Sequence, residues 1–284
     1  MKVLVTGYGG QLGYDVVKEG TESGLEMIGT TSGDLNITDE NRVSEYIHKL
    51  KPDAIIHCAA YTAVDKAEDD QESCYDVNVN GTKYLATAAK EVNAKFVYIS
   101  TDYVFDGEGE MPFSENTTPN PIGYYGETKY KGEQIVQSFL DDYFIVRISW
   151  VFGINGNNFI KTMLRLSETR DELNVVGDQY GSPTYTFDLS RLLINMVQTD
   201  RYGVYHATNE GFCTWSEFAA EILKLSNREV KVNAISTEEY PTRAVRPKNS
   251  RMSKEKLISN GFMPLPEWQS ALSRYLSELF QEVK

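Results

Sequence analysis

Residues 2–13, KVLVTGYGGQLG, restrict the fold of this chain more than any other stretch. A short run of apolar and β-branched residues leads straight into glycines at 7, 10 and 13, and a helical segment from about Gln11 to Glu22 follows. A buried strand that turns sharply into a helix is the opening unit of a parallel α/β sheet. At such a junction the glycines have separate tasks. Gly7 permits the tight turn, Gly10 lets the backbone approach a pyrophosphate, and Gly13 lets the helix pack on the sheet. Amides at the helix start, around Gln11 and Leu12, then attract the anion. In this position the loop predicts a bound dinucleotide.

The alternation continues. LEMIGT, DAIIHCAA, KFVYIST and YFIVRISWVFG read as further strands. Between them come a helix capped by Thr38 or Asp39, a long one from about Ser73 to Val92, and one from about Tyr124. Parallel neighbours need crossover helices, so five alternations predict an α/β, Rossmann-like, doubly wound parallel sheet. After about residue 150 the rhythm loosens. The expected organisation is a dinucleotide-binding domain over residues 1–150, open to being rejoined by later segments. A smaller C-terminal lobe, mainly 151–284, would bind substrate.

Composition excludes several classes. A net charge of −13 opposes general nucleic-acid binding, which needs a basic surface. Residues 241–256 reverse the sign locally, with six basic side chains against one acidic, and suit a diphosphate. No apolar run is long enough to cross a membrane, and MKVLVTGYGG is too short for a signal-peptide core. Cys58, Cys74 and Cys213 are scattered and odd in number, as expected of reduced thiols in a cytoplasmic protein. His48, His57 and His206 lack metal-ligand spacing and read as structural.

Two Tyr–Lys pairs, Tyr14/Lys18 and Tyr125/Lys129, have the spacing that puts both side chains on one helical face. There an ammonium can favour the ionised phenol. Tyr14 lies on the first helix, just past the phosphate turn. Tyr125 follows the fourth strand, whose carboxyl end opens toward the ligand crevice. Geometry selects Tyr125. Thr101, at the end of that strand, falls within reach of a carbonyl bound beside it. Near the end of the second strand, Asp34 is slightly late to bind a ribose 2′-hydroxyl and no basic residue awaits a 2′-phosphate. NADPH and NADH both remain open, with a lean to NADPH.

Several motifs carry a family resemblance: TGYGGQLG, AAYTAVDKAE (59–68), NVNGT (78–82), STDYVFDG (100–107) and YGETK (125–129). RISWVFG (147–153), DQYGSPT (178–184) and RPKNSRM (246–252) extend it over nearly the whole chain. With them the chain resembles the extended short-chain dehydrogenases, and among those the dTDP-4-dehydrorhamnose reductase family. The resemblance implies NAD(P)H-dependent reduction of the C4 ketone of a dTDP-4-keto-6-deoxy sugar to dTDP-L-rhamnose. Tyr125 would be the general acid, Lys129 would lower its pKa and bind the nicotinamide ribose, and Thr101 would polarise the carbonyl.

By the same likeness Ala59, Ala60 and Tyr61 would line the cofactor groove, and Thr62 and Val64 the substrate side. Asp102, Tyr103 and Trp150 would contact sugar or base, Arg246 the nucleotide or its phosphates with Ser250 nearby, and Asn78 would give support. Dehydratases of the superfamily carry Glu where Tyr103 stands, which favours simple reduction here. Another nucleotide-4-ketosugar reductase or epimerase is the nearest alternative, and a non-catalytic NADP-binding regulatory subunit the more distant one. The joint presence of Thr101, Tyr125 and Lys129 favours an enzyme. Some members of the family form metal-bridged dimers through carboxylates, so a homodimer is open. Asp15 and Asp188 fall in comparable regions, but Asp stands in place of the longer Glu, and no metal is assigned.

Overall fold

In the computed structural model, which describes residues 1–282, five strands follow one another as expected. They are β1 (Lys2–Thr6), β2 (Glu26–Thr30), β3 (Ala54–His57), β4 (Lys95–Thr101) and β5 (Tyr143–Ile148). A sixth strand, Gly203–His206, joins them from the last third of the chain, and the spatial order is β2-β1-β3-β4-β5-sixth. Every pairing is parallel.

Successive side chains of a strand point to opposite faces, and both faces of this sheet are covered. Val3, Val5, Val97 and Phe144 pack on one side against Leu12, Val16, Leu189 and Leu193. Leu4, Ile55, Phe96 and Ile145 pack on the other against Val43, Ile47, Leu85 and Val136. The first layer holds the helices Gln11–Glu22 and Thr186–Val197, and the second holds Glu40–Leu50, Thr82–Glu91 and Tyr124–Phe139. Asp39, not Thr38, caps the Glu40–Leu50 helix, accepting from the Arg42 amide.

The chain leaves β1 for β2 on one side and returns to β3 on the other. The crevice where strand order reverses therefore opens above the carboxyl ends of β1 and β3. The helix expected from Ser73 to Val92 runs from Gln71 to Glu91, but widens to a π-helical turn over Asp76–Gly81. A second core gathers Phe152, Ile160, Leu173, Phe218, Ile222, Trp268 and Leu272. It sits beside a parallel strand pair, Glu172–Val176 with Lys231–Ile235. Among the described residues no helix is long and apolar enough to cross a membrane.

Candidate active site

The glycine loop is shaped by contacts that admit no side chain. Gly7 has φ +75°, and a Cβ on it would lie 2.6 Å from the Ala59 amide nitrogen at the end of β3. A Cβ on Gly13 would lie 2.3 Å from the Gly7 carbonyl oxygen, and the Gly10 N–H donates to that same oxygen at 2.9 Å. The result is a bare backbone cradle at a helix N-terminus, which fits the diphosphate of a dinucleotide.

A cleft of about 760 Å³ opens over the cradle. Gly7, Gly10, Gln11, Leu12, Gly13, Ala59, Ala60, Thr62 and Val64 line it, as do Thr101, Asp102, Tyr103, Tyr125, Lys129 and Trp150. Asp34, Tyr61 and Arg246 stand outside that lining. Asp34 turns back into its own loop, accepting from the Thr31 amide at 2.9 Å and hydroxyl at 2.7 Å, which holds its carboxyl below the usual range. Thr31 and Ser32 occupy that end of the cleft instead. Tyr61 donates its phenol hydrogen to Asp70. Its backbone is clamped by Asn78, whose amide also reaches the Thr128 hydroxyl at 3.1 Å. Asn78 lies in the π-helical turn, so that turn ties the cleft floor to the helix carrying Tyr125.

Sequence reasoning passed over three groups. Asn155 and Asn158 brace the cradle from the second half of the chain. The Asn155 amide donates to the Gly9 carbonyl at 3.0 Å, and Gln11 Oε1 accepts from Asn158 at 3.1 Å and from the Gly153 amide at 2.9 Å. Trp215 also lines the cleft, its ring stacked on Trp150 at 3.7 Å between centroids. Trp150 adopts φ +48°, a conformation that costs a bulky residue about 1–3 kcal/mol. The stack and the close approach of Gly181, where a Cβ would meet the indole at 2.7 Å, hold the ring there.

Tyr125 and Lys129 share a face of the Tyr124–Phe139 helix, fixed by a buried pair beneath them. Arg147 of β5 binds Glu133 of that helix through two bonds of 2.7 and 2.8 Å, and Ser100 of β4 donates to Glu133 at 2.5 Å. Removing one partner of such a pair costs about 3–5 kcal/mol. The decoy pair is engaged elsewhere: Tyr14 stacks near Tyr8 and Lys18 pairs with Glu278.

The electrostatics differ from expectation at one point. The Tyr125 phenol stands above the ordinary range for a tyrosine. Burial pushes the phenol up, and the nearby Asp102 carboxylate pushes in the same direction, against the Thr101 hydroxyl. The Lys129 ammonium lies 4.1 Å from the centre of the Tyr98 ring, and burial pulls it down to about 7. Asp102, 3% exposed, is raised by burial to about 6. Tyr103 packs edge-on to Tyr125, and burial raises it to about 12. Its hydroxyl accepts from Arg246, whose other arm binds Asp65 at 2.6 Å.

Asp188 is held by both arms of Arg274 at 2.6 and 2.7 Å, and Asp15 accepts from Thr186. Among the described residues no cluster of three or more metal-ligating side chains occurs.

The family profile described as RmlD substrate binding domain matches residues 1–281. The dTDP-4-dehydrorhamnose reductase of Aggregatibacter actinomycetemcomitans is 40% identical over 95% of this chain and 97% of its own. The crystal structure of a dTDP-4-dehydrorhamnose reductase from Clostridium acetobutylicum superposes with a TM-score of 0.97 at 43% identity, covering 99% of this chain and 100% of that one. The enzyme from Bacillus anthracis, solved in complex with NADP, gives 0.95 at 43% identity, with 98% and 100% covered. With its bare glycine cradle, its strand-end threonine and a tyrosine and lysine on one helix face, the chain belongs to the RmlD family of dTDP-4-dehydrorhamnose reductases.

Proposed function

We propose that this enzyme reduces the C4 ketone of dTDP-4-dehydrorhamnose to dTDP-L-rhamnose, with NADPH as the preferred cofactor. What carries the reading is that Thr101, Tyr125 and Lys129 line one cleft with the glycine cradle in a chain of this family. The cradle from Gly7 to Gly13 would hold the cofactor diphosphate, Thr31 and Ser32 its adenosine end, and Lys129 the nicotinamide ribose. The bound cofactor supplies the hydride.

The chain's own residues handle the proton. Tyr125, kept protonated by burial, donates to the oxygen as it becomes an alkoxide. Thr101 lends a hydrogen bond to that oxygen, which matters most once negative charge develops. Trp150 and Tyr103 form the walls against which sugar and base are oriented. NADPH is favoured because the neutral Thr31 and Ser32, not Asp34, line the end of the cleft where a 2′-phosphate would lie. We read residues 1–150 as mainly the cofactor domain and the remainder as mainly the substrate lobe. A cytoplasmic location suits the three free thiols.

The test is oxidation of NADPH and NADH, each with the dTDP-4-keto-6-deoxy sugar, by wild type and Tyr125→Phe. Rapid oxidation with dTDP-L-rhamnose as product supports the reading. Tight cofactor binding without oxidation would remove it.

A further inference from the structure

We propose that Asp102 is a positioning residue whose proton sets the direction of the hydrogen-bond chain from Asp102 through Thr101 to Tyr125, and that the ketone is reduced only while Asp102 is protonated. This rests on the reductase reading above.

The argument is a count of hydrogens. The Thr101 hydroxyl owns one hydrogen and two lone pairs. One lone pair accepts the Tyr103 N–H at 3.2 Å, and Oγ1 lies 3.0 Å from Asp102 Oδ1. With the carboxyl ionised, that contact consumes the only hydrogen on Thr101. The remaining lone pair is then all that Thr101 can offer the Tyr125 phenol, with which its hydroxyl pairs, and it draws the phenol hydrogen away from the substrate. With the carboxyl protonated, the same contact runs backwards. Asp102 donates to Thr101, the Thr101 hydrogen is released toward the carbonyl, and the Tyr125 hydrogen stays available.

Two further observations agree. Asp102 Oδ2 is buried with no hydrogen-bond partner, a costly position for a charged oxygen. Asp102 is also the carboxylate that disfavours a Tyr125 phenolate, the very species left after proton donation. The facing groups can be named. They are Thr101 and Tyr103 on its own turn, Tyr125 from the neighbouring helix, and the Ser250 hydroxyl, whose hydrogen bond favours the ionised carboxyl but is outweighed by burial. Arg246 and Asp65 face it only through Tyr103. Burial already raises the carboxyl to about 6, and filling the cleft with a sugar diphosphate raises it further.

The protons balance. As the carbonyl carbon gains its hydride, the carbonyl π pair moves to oxygen, which takes the Tyr125 proton. The phenolate regains a proton from Thr101, Thr101 from Asp102, and Asp102 from solvent. One proton is consumed per ketone reduced.

Turnover of wild type and Asp102→Asn is compared across about pH 5 to 9. The asparagine amide is a permanent donor to Thr101. Wild-type kcat should fall about tenfold per pH unit on its alkaline limb, and Asp102→Asn should lack that limb. Without cofactor or substrate, the Asp102 carboxyl carbon resonance, assigned by its loss in Asp102→Asn, should titrate at about 6, not near the ordinary ~3.9. A limb shared by both proteins, Asp102→Asn as inactive at every pH as Thr101→Val, or an ordinary titration would each overturn the proposal. If Asp102→Asn shows no thermal transition, Thr101→Val serves in its place. It cuts the chain, so its residual activity should be flat over the alkaline range, and a persisting limb overturns the proposal. A wild type that reduces no ketosugar removes the reductase reading and this proposal together.

Discussion

At the scale of single residues, Tyr125 and Lys129 separate what spacing can reveal from what burial decides. That both side chains share a helix face follows from their spacing, and that Tyr125 rather than Tyr14 meets the cleft follows from its place after β4. Their charge states do not follow. Those depend on burial, on the charges of Asp102 and Cys74 near Tyr125 and on the Tyr98 ring beside Lys129, which the fold brings together from separate segments. Trp215, Asn155 and Asn158 escaped notice for the same reason, since they gain meaning only against Trp150, Gly9 and Gln11. If Tyr125 is the proton donor, Tyr125→Phe should lower kcat about 10²- to 10⁴-fold while NADPH still binds, as read by fluorescence titration alongside turnover. Unchanged kcat would move the donor elsewhere, and lost NADPH binding would mean that the phenol holds the cofactor.

At the scale of elements, the five early strands and the first helix were legible because apolar runs and glycine punctuation coincide there. The π-helical turn at Asp76–Gly81 was not, because no local residue pattern distinguishes an added residue in a helix from an ordinary turn. Its role is carried by Asn78, which satisfies the Tyr61 N–H and the Thr128 hydroxyl at once. Asn78→Ala strands the part-buried Tyr61 N–H and removes the tie to Thr128, whose hydroxyl keeps its bond to the Tyr125 carbonyl, so a loss of about 1–3 kcal/mol in denaturant melts is expected, with kcat lowered as the Tyr125 helix loosens. Stability within a few tenths of wild type would show that water replaces the amide. The first strand–helix junction makes a sharper demand. Gly13→Ala places a methyl against the Gly7 carbonyl, which is backbone and cannot rotate away. Overpacking of this kind costs about 1–3 kcal/mol, and the cradle must open to relieve it. NADPH affinity should therefore fall together with the melting temperature, and a variant that binds NADPH normally would show that the cradle has slack.

At the scale of the whole molecule, two buried histidines set the acid limit. His57 ends β3 between the Thr6 and Thr82 hydroxyls, and His206 ends the sixth strand against Arg147 and the Ser253 carbonyl. Burial pulls each to about 3, below the usual 6.5. Between those values the unfolded chain binds more protons than the folded one. Their contribution to stability is therefore complete above pH 6.5 and is lost as the pH falls, by about 1.4 kcal/mol per unit for each group. Denaturant melts at stepped pH should show this slope, and His206→Asn should reduce it. A midpoint that stays level from neutrality down to about pH 4.5 would contradict the assignment.

The sixth strand has a consequence for how the chain is made. β5 has a free hydrogen-bonding edge until Gly203–His206 lies against it, and the first helix lacks its Thr186–Val197 neighbour until the same stretch exists. More than fifty residues separate that strand from β5. On the ribosome, the first five strands are therefore translated long before their sheet is complete. For that interval it carries a bare strand edge and an uncovered apolar face, the surfaces on which nascent chains aggregate or recruit chaperones.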